Sequence, residues 1–233
     1  MSRKSTNSIY LGPRLAAAGS LVREGCTAAD IGCDHGKLSV WLIESGRCSR
    51  VIASDINADP LQKAAGLIKS RGLSDRISTV LADGIPSGEP DDYIIAGLGP
   101  DVTFGIIDSA PFLKEGGRHL ILVPSSHHEK MRSGLYERGW RIDKEVPARE
   151  NGRLYTAILA VYSGNRRKLS PEEAELGLIS PSGSGLWYYR SVRKKLSGML
   201  KGLLEAENSD FSKAEYARRV IAYIDERTGN KDA

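Results

Sequence analysis

The chain has 233 residues, a formal net charge of +4, 40% hydrophobic and 27% charged residues, which suits one large α/β domain with a modest appendage rather than a fibrous or disordered chain. No apolar run approaches a membrane span, and residues 1–7 carry no signal-peptide core. Three cysteines (Cys26, Cys33, Cys48) without a C-x-x-C pair argue against a disulfide frame or a zinc centre and fit a reducing cytoplasm, while the mild basicity permits an RNA partner without demanding one.

Gly12-Pro13-Arg14-Leu15 opens a helix, with Pro13 in its first turn; Leu11, Leu15, Ala18 and Val22 follow helical spacing, and Gly25 ends it. A helix ahead of the first strand can cover a ligand crevice, where Arg14 either pairs with a ligand carboxylate or is simply solvated. Thr27-Ala28-Ala29 with Ile31 reads as a buried strand. The turn Gly32-Cys33-Asp34-His35-Gly36 follows, and then a helix over Leu38–Ile43. A second strand, Val51–Ser54, ends in Asp55, where a carboxylate can grip a ribose hydroxyl pair. Asp59-Pro60 is expected to cap and start the next helix. A third strand, Ile77–Leu81, runs into Ala82-Asp83-Gly84. Asp83 either accepts a hydrogen bond from an adenine amino group or is an ordinary loop residue.

The fourth strand, Tyr93–Ala96, leads into Gly97-Leu98-Gly99-Pro100, whose glycines allow close approach to the backbone; a helix is expected over 102–110. The fifth strand, 118–123, is stopped by Pro124. His127, His128 and Glu129 read as a solvated helix start, since adjacent histidines diverge on a helix, and no metal is expected. Trp140–Arg149 and Arg153–Tyr162 flank Asn151-Gly152, a hairpin signal. A parallel sheet that ends in an antiparallel hairpin is the arrangement of class I methyltransferases.

The polar run 164–168 sets a boundary between a first domain, 1–163, and a helical tail, 164–233. Ser170-Pro171-Glu172-Glu173 is a capping box. After a break at 181–185, Leu186, Tyr189, Val192, Leu196, Met199 and Leu203 form a helical stripe. Arg190, Arg193, Lys194, Lys195 and Lys201 lie along that helix; they either track a phosphate backbone or form a solvated face. A second capping box is expected over 211–216, with Phe211 and Tyr216 as its hydrophobic staple, and the last helix ends near Gly229. The two tail helices read as an antiparallel pair.

The loop after the first strand carries D-x-G-x-D-x-G (Asp30, Gly32, Asp34, Gly36) where a dinucleotide protein needs G-x-G-x-x-G. Asp34 would repel a diphosphate but tolerate a sulfonium and an amino group, which points to S-adenosylmethionine rather than NAD.

These motifs identify a resemblance. The chain resembles the bacterial tRNA (adenine-22-N1)-methyltransferase family through Leu11 with Arg14-Leu15, Ala29-Asp30-Ile31-Gly32-Cys33-Asp34-His35, Asn57, Asp83-Gly84, Ile95-Ala96-Gly97-Leu98-Gly99, 135–139, and Glu150-Asn151-Gly152-Arg153-Leu154-Tyr155. The likeness implies a Rossmann-like class I sheet, a helical coiled-coil-like C-terminal domain and S-adenosylmethionine as cofactor. It places Asp30, Gly32, Asp34, His35, Asp55, Asp83, Gly84 and Gly97 at the cofactor, with Arg14, Gly36, Leu38, Ile56, Asn57, Ala82 and Leu98 beside them. The implied reaction is methyl transfer to N1 of a tRNA adenine. Asp34 is then a catalytic carboxylate, or alternatively a helix cap, and His35 an orienter or proton acceptor. Arg190, Arg193, Lys194 and Lys195 are the expected RNA contacts. No DNA or membrane partner is expected, and the protein would be a cytoplasmic monomer or weak dimer. Two loops depart from the family pattern, Gly99-Pro100-Asp101 and Pro124-Ser125. They leave open a methyltransferase of another RNA site or a small molecule, or an RNA-binding protein without catalysis.

Overall fold

The computed structural model describes residues 9–86, 88–206 and 210–229; residues 1–7, read above for a targeting signal, lie outside them. Seven strands form one sheet: β1 (Cys26–Ile31), β2 (Cys48–Asp55), β3 (Ile77–Leu81), β4 (Asp92–Ala96), β5 (His119–Val123), β6 (Trp140–Glu150) and β7 (Arg153–Tyr162). Their order is β3-β2-β1-β4-β5-β7-β6. The first five pair in parallel, and β7 inserts antiparallel between β5 and β6. The chain leaves β1 in one direction to build β2 and β3, then returns to place β4 on the other side of β1. The connections that leave the carboxyl ends of β1 and β4 therefore run to opposite sides, and an open α/β sheet holds its ligands in the crevice between them.

Successive β1 residues feed opposite faces. Ala28 joins a core with Val40, Leu42, Val51 and Ile94 under the helices α1 (Pro13–Leu21), α2 (Lys37–Glu44) and α3 (Ala58–Ser70). Ala29 joins Tyr93, Ile95, Leu122, Met131 and Trp140 under α4 (Pro100–Asp108) and α5 (His128–Glu137). A strand covered on both faces has no polar side, which is why these strands read as continuous apolar runs. At the hairpin, Asn151 and Gly152 have φ of +49° and +75°, the two positive values that a type I′ turn requires.

The remaining helices, α6 (Pro171–Leu176), α7 (Ser184–Glu205) and α8 (Phe211–Thr228), close a third core around Leu176, Tyr189, Val192, Leu196, Val220 and Ile224. The segment 207–209 of the connection between α7 and α8 lies outside the described residues. The tail is fastened to the sheet by Arg132 of α5, whose side chain is fully buried. Its Nε donates to Glu145 (2.8 Å), its Nη1 to the carbonyls of Ala174 and Glu175, and its Nη2 to the Tyr188 hydroxyl. One guanidinium thus satisfies the end of α6 and the start of α7 together. Removing it would strand Glu145 without its partner in the interior.

Several helix starts differ from expectation. The helix expected to be capped by Asp59 begins two residues earlier, with Asn57 at the N-cap, so Asp59 and Pro60 lie inside its first turn. The helix expected from 102 begins at Pro100, where Gly99 is the cap and proline's missing N–H costs nothing. The Ser170 box forms as expected. The second box does not. Asp210 is the cap, accepting from the Lys213 N–H, and Phe211 is 81% exposed rather than stapled to Tyr216. Asp210 lies ahead of Ser212 and offers a charged acceptor, which binds backbone N–H groups more strongly than a hydroxyl. Finally, His127 is exposed but His128 is not a solvated helix start; its Nε2 is buried with no partner among the described residues, and burial pulls its pKa down to about 4.

Candidate active site

A cavity of about 480 Å³ opens at the carboxyl end of β1. Its walls come from the approach to α1, the loop after β1, the end of β4 and the last residue of β6. Of the residues singled out in the sequence, Arg14, Asp30, Gly32, Asp34, His35 and Leu38 line it. Asp55, Ile56, Asn57, Ala82, Asp83, Gly84, Gly97 and Leu98 stand at or just after the carboxyl ends of β2, β3 and β4, along the same edge but outside that lining. Gly36 is the left-handed N-cap of α2, and no side chain caps that helix, so Asp34 does not have the capping role.

Three carboxylates stand at the loop after β1. Asp55 accepts from the N–H of Asp34 (3.1 Å) and from that of Asn57 (2.9 Å), bracing the loop from the neighbouring strand. Asp34 itself takes a φ of +52°. Its side chain, 72% exposed, meets His35 Nδ1 at 2.7 Å. Asp30, the last acid before the loop, is buried and accepts from Ser39 Oγ at 2.6 Å. Burial raises its pKa to about 6, against the opposing effect of the Ser39 hydrogen bonds.

Arg14 supplies the opposite charge. Its Nε donates to Glu150 at 3.4 Å, and its guanidinium lies 5.7 Å from the centre of the Tyr155 ring. The Glu150-Asn151-Gly152-Arg153-Leu154-Tyr155 motif is therefore a clamp: the turn brings both arms of the hairpin back onto one arginine. Arg14 Nη1 is buried and, among the described residues, has no hydrogen-bond partner. It points at Gly97, where φ is +93° and an added Cβ would sit 3.1 Å from that nitrogen. A buried charged donor with an unmet hydrogen bond is costly unless an acceptor is to be received there. The sequence reading missed Tyr10, Lys37, Ala96 and Glu150 as cavity residues. Glu150 was within reach, because it ends β6 and opens the motif that spans the hairpin turn.

A model of the methyltransferase domain matches residues 11–158. The chain belongs to the methyltransferase-domain family. This domain spans the helix that carries Arg14, the cavity loop and all of β7 except its end. The tRNA (adenine(22)-N(1))-methyltransferase of Bacillus subtilis is 31% identical over 157 residues, covering 66% of this chain and 66% of the relative. The chain thus spans about two thirds of the length of this relative. Among solved structures, the B. subtilis m1A22 tRNA methyltransferase TrmK has a TM-score of 0.76 at 23% identity, covering 94% of this chain and 99% of that one. M. capricolum TrmK, solved with S-adenosyl-homocysteine, has a TM-score of 0.79 at 22% identity, covering 93% and 99%. That likeness extends over the helical tail as well as the methyltransferase domain.

Among the RNA contacts expected on α7, two are engaged elsewhere. Arg193 grips Asp225 of α8 through Nε and Nη2, and Lys195 Nζ lies 3.6 Å from both Glu129 and Glu175. Arg190 and Lys194 are exposed. Acids from α5, α6 and α8 pack against a helix whose own row has none, so the sequence of α7 alone does not reveal which of its cations are spent. Among the described residues no metal-ligating cluster occurs.

Proposed function

We propose that this chain is an S-adenosylmethionine-dependent methyltransferase that methylates N1 of an adenine in tRNA. The observation that carries the reading is the pairing, within one cavity, of the unmatched Arg14 Nη1 with the acid-bearing loop Asp30–Asp34. A cation at one wall and carboxylates at another fit a ligand with a carboxylate, an amino group and a sulfonium, and disfavour a diphosphate. The volume lies within the range of small-molecule sites, roughly 300–1,000 Å³. The identity of the B. subtilis relative supports tRNA adenine as the acceptor.

S-adenosylmethionine, when bound, supplies an electrophilic methyl group. This chain's part is to hold and align. Arg14, fixed by Glu150 and Tyr155, receives the ligand carboxylate; Asp30 faces the cationic end; Asp55, beyond the lining, is the acid that grips the ribose. Adenine N1 is a neutral nucleophile, so alignment supplies most of what the reaction needs. The methylated base is cationic, and Asp34, oriented by His35, stands at the cavity mouth to stabilise that charge as it develops. The division at residue 163 belongs to the same reading: residues 1–163 carry the chemistry, and 164–233 contact RNA in the cytoplasm, where tRNA is found.

The test is direct. Purified protein is incubated with labelled S-adenosylmethionine and bacterial tRNA, and nucleosides are identified by mass spectrometry. The expected product is 1-methyladenosine. Asp34→Asn should lower turnover by about ten- to a hundredfold, the scale of one electrostatic or proton-handling group, with S-adenosylhomocysteine affinity within about threefold. Unlabelled tRNA alongside labelled small molecules defeats the tRNA reading, and full turnover by Asp34→Asn removes that residue from the reaction.

A further inference from the structure

A second depression, about 520 Å³, runs between the hairpin turn and α7. Arg149, Arg153, Lys194 and Lys195 line it with Trp187 and Ser191, and no carboxylate is among the lining residues. Arg149, Arg153 and Lys194 are exposed, and among the described residues none of the three makes an ion pair. Most arginines nearer the core behave differently, each held by an acid, as Arg23, Arg132 and Arg193 are. Arg149 and Trp187 also line an adjoining hollow with Pro13, Ala16, Ser20 and Val146. The groove therefore continues across β6 to α1, the helix whose Arg14 lines the cavity.

We infer that this groove, rather than the basic row of α7 as a whole, is where the substrate RNA backbone lies. The inference rests on the tRNA reading above and adds the residues that hold the RNA. Unneutralised cations facing one groove are what a phosphate chain recognises, and the release of its counterions drives binding. Trp187 sits where the two hollows meet and presents an aromatic surface on which a base can stack. Two of the cations, Arg149 and Arg153, flank the Asn151-Gly152 turn. The adjoining residues Glu150 and Tyr155 clamp Arg14, so a backbone held by Arg149 and Arg153 is held in fixed relation to the cavity. The cations come from two elements far apart in sequence, which Arg132 fastens together through Glu145 of β6 and Tyr188 of α7.

The experiment compares the full chain with an Arg153→Ala/Lys194→Ala variant and a control, Lys63→Ala/Lys69→Ala, which removes the same charge from exposed positions on α3 beside the far sheet edge. Dissociation constants for unmodified tRNA are measured across a salt series, and S-adenosylhomocysteine binding is measured by calorimetry as a check on folding. The groove variant should bind tRNA about tenfold more weakly, with a log–log salt slope shallower by about one for each phosphate no longer neutralised. The control should stay within about twofold, and S-adenosylhomocysteine binding should be unchanged in both. Equal weakening in the two variants, or none in the groove variant, overturns the groove. Should wild-type protein bind no tRNA while retaining S-adenosylhomocysteine, the tRNA reading falls and the groove with it. Should poly-glutamate bind to the wild type and fail to bind the groove variant while tRNA is unaffected, the surface takes an acidic polypeptide, and the RNA assignment is overturned.

Discussion

The two edges of the parallel sheet use the same residue types to opposite ends. At the amino-terminal edge of the strands, Asp92 is fully buried and saturated: the Arg23 N–H donates at 2.8 Å, the Arg23 Nε at 2.7 Å, and the Cys26 thiol lies at 3.7 Å. Beside it, Asp91 accepts from both the N–H and the hydroxyl of Thr27. At the carboxyl edge the groups keep capacity in reserve. Arg14 Nη1 has no partner among the described residues, Asp34 and His35 are exposed, and Asp30 sits where burial disfavours its charge. Saturated polar groups stabilise a fold; unsaturated ones in a cavity await a ligand.

Substitutions at the two edges should therefore separate stability from binding. The largest effect belongs to the amino edge. Asp92→Ala leaves the Arg23 backbone N–H and Nε without their acceptor and should cost about 2–4 kcal/mol in urea denaturation, while S-adenosylhomocysteine affinity at low temperature stays within about twofold. Weakened affinity with full stability would erase the contrast.

Next is Asp30. Its folded pKa of about 6 exceeds the ordinary carboxylate value, so the folded state holds the proton more tightly than the unfolded chain. The contribution to stability is greatest at acidic pH and is lost as pH rises through about 6. Between pH 4.5 and 7.5 the parent should lose about 2 kcal/mol relative to Asp30→Asn, as read from paired denaturation curves. Parallel pH profiles would show that Asp30 is as well accommodated as Asp92.

The smallest effect in free energy falls on Arg14. Arg14→Ala should weaken S-adenosylhomocysteine binding by about tenfold, yet change stability by less than about 1 kcal/mol, since its pair with Glu150 is partly solvated. Arg14→Lys should recover only part of the affinity, because one ammonium cannot face Glu150 and the cavity together.

Much of this was legible in one dimension. The strand–loop–helix around Asp30–Leu38, the type I′ turn at Asn151-Gly152 and the capping box at Ser170 are local: neighbouring residues impose the backbone conformation, so their order along the chain is enough. The helix starts at Asn57 and Asp210 were harder, because several residues in each stretch can cap, and packing of the helix body selects among them. His128 was misjudged for a similar reason. It follows an exposed histidine, and only its burial beside α5's neighbours removes it from solvent.

The sequence by itself determined that five strands precede a hairpin that closes the sheet, and that an acidic loop follows the first strand; each follows from periodicity, glycine placement or charge within a few residues. Only the tertiary structure decided which charges are spent. Arg193 and Lys195 look as free as Lys194 along the chain, and Arg14 looks like any helix-start arginine. Their partners Asp225, Glu175 and Glu150 arrive from 32, 20 and 136 residues away. Electrostatic pairing depends on distance through space, and that distance is set by how the helices and the hairpin pack.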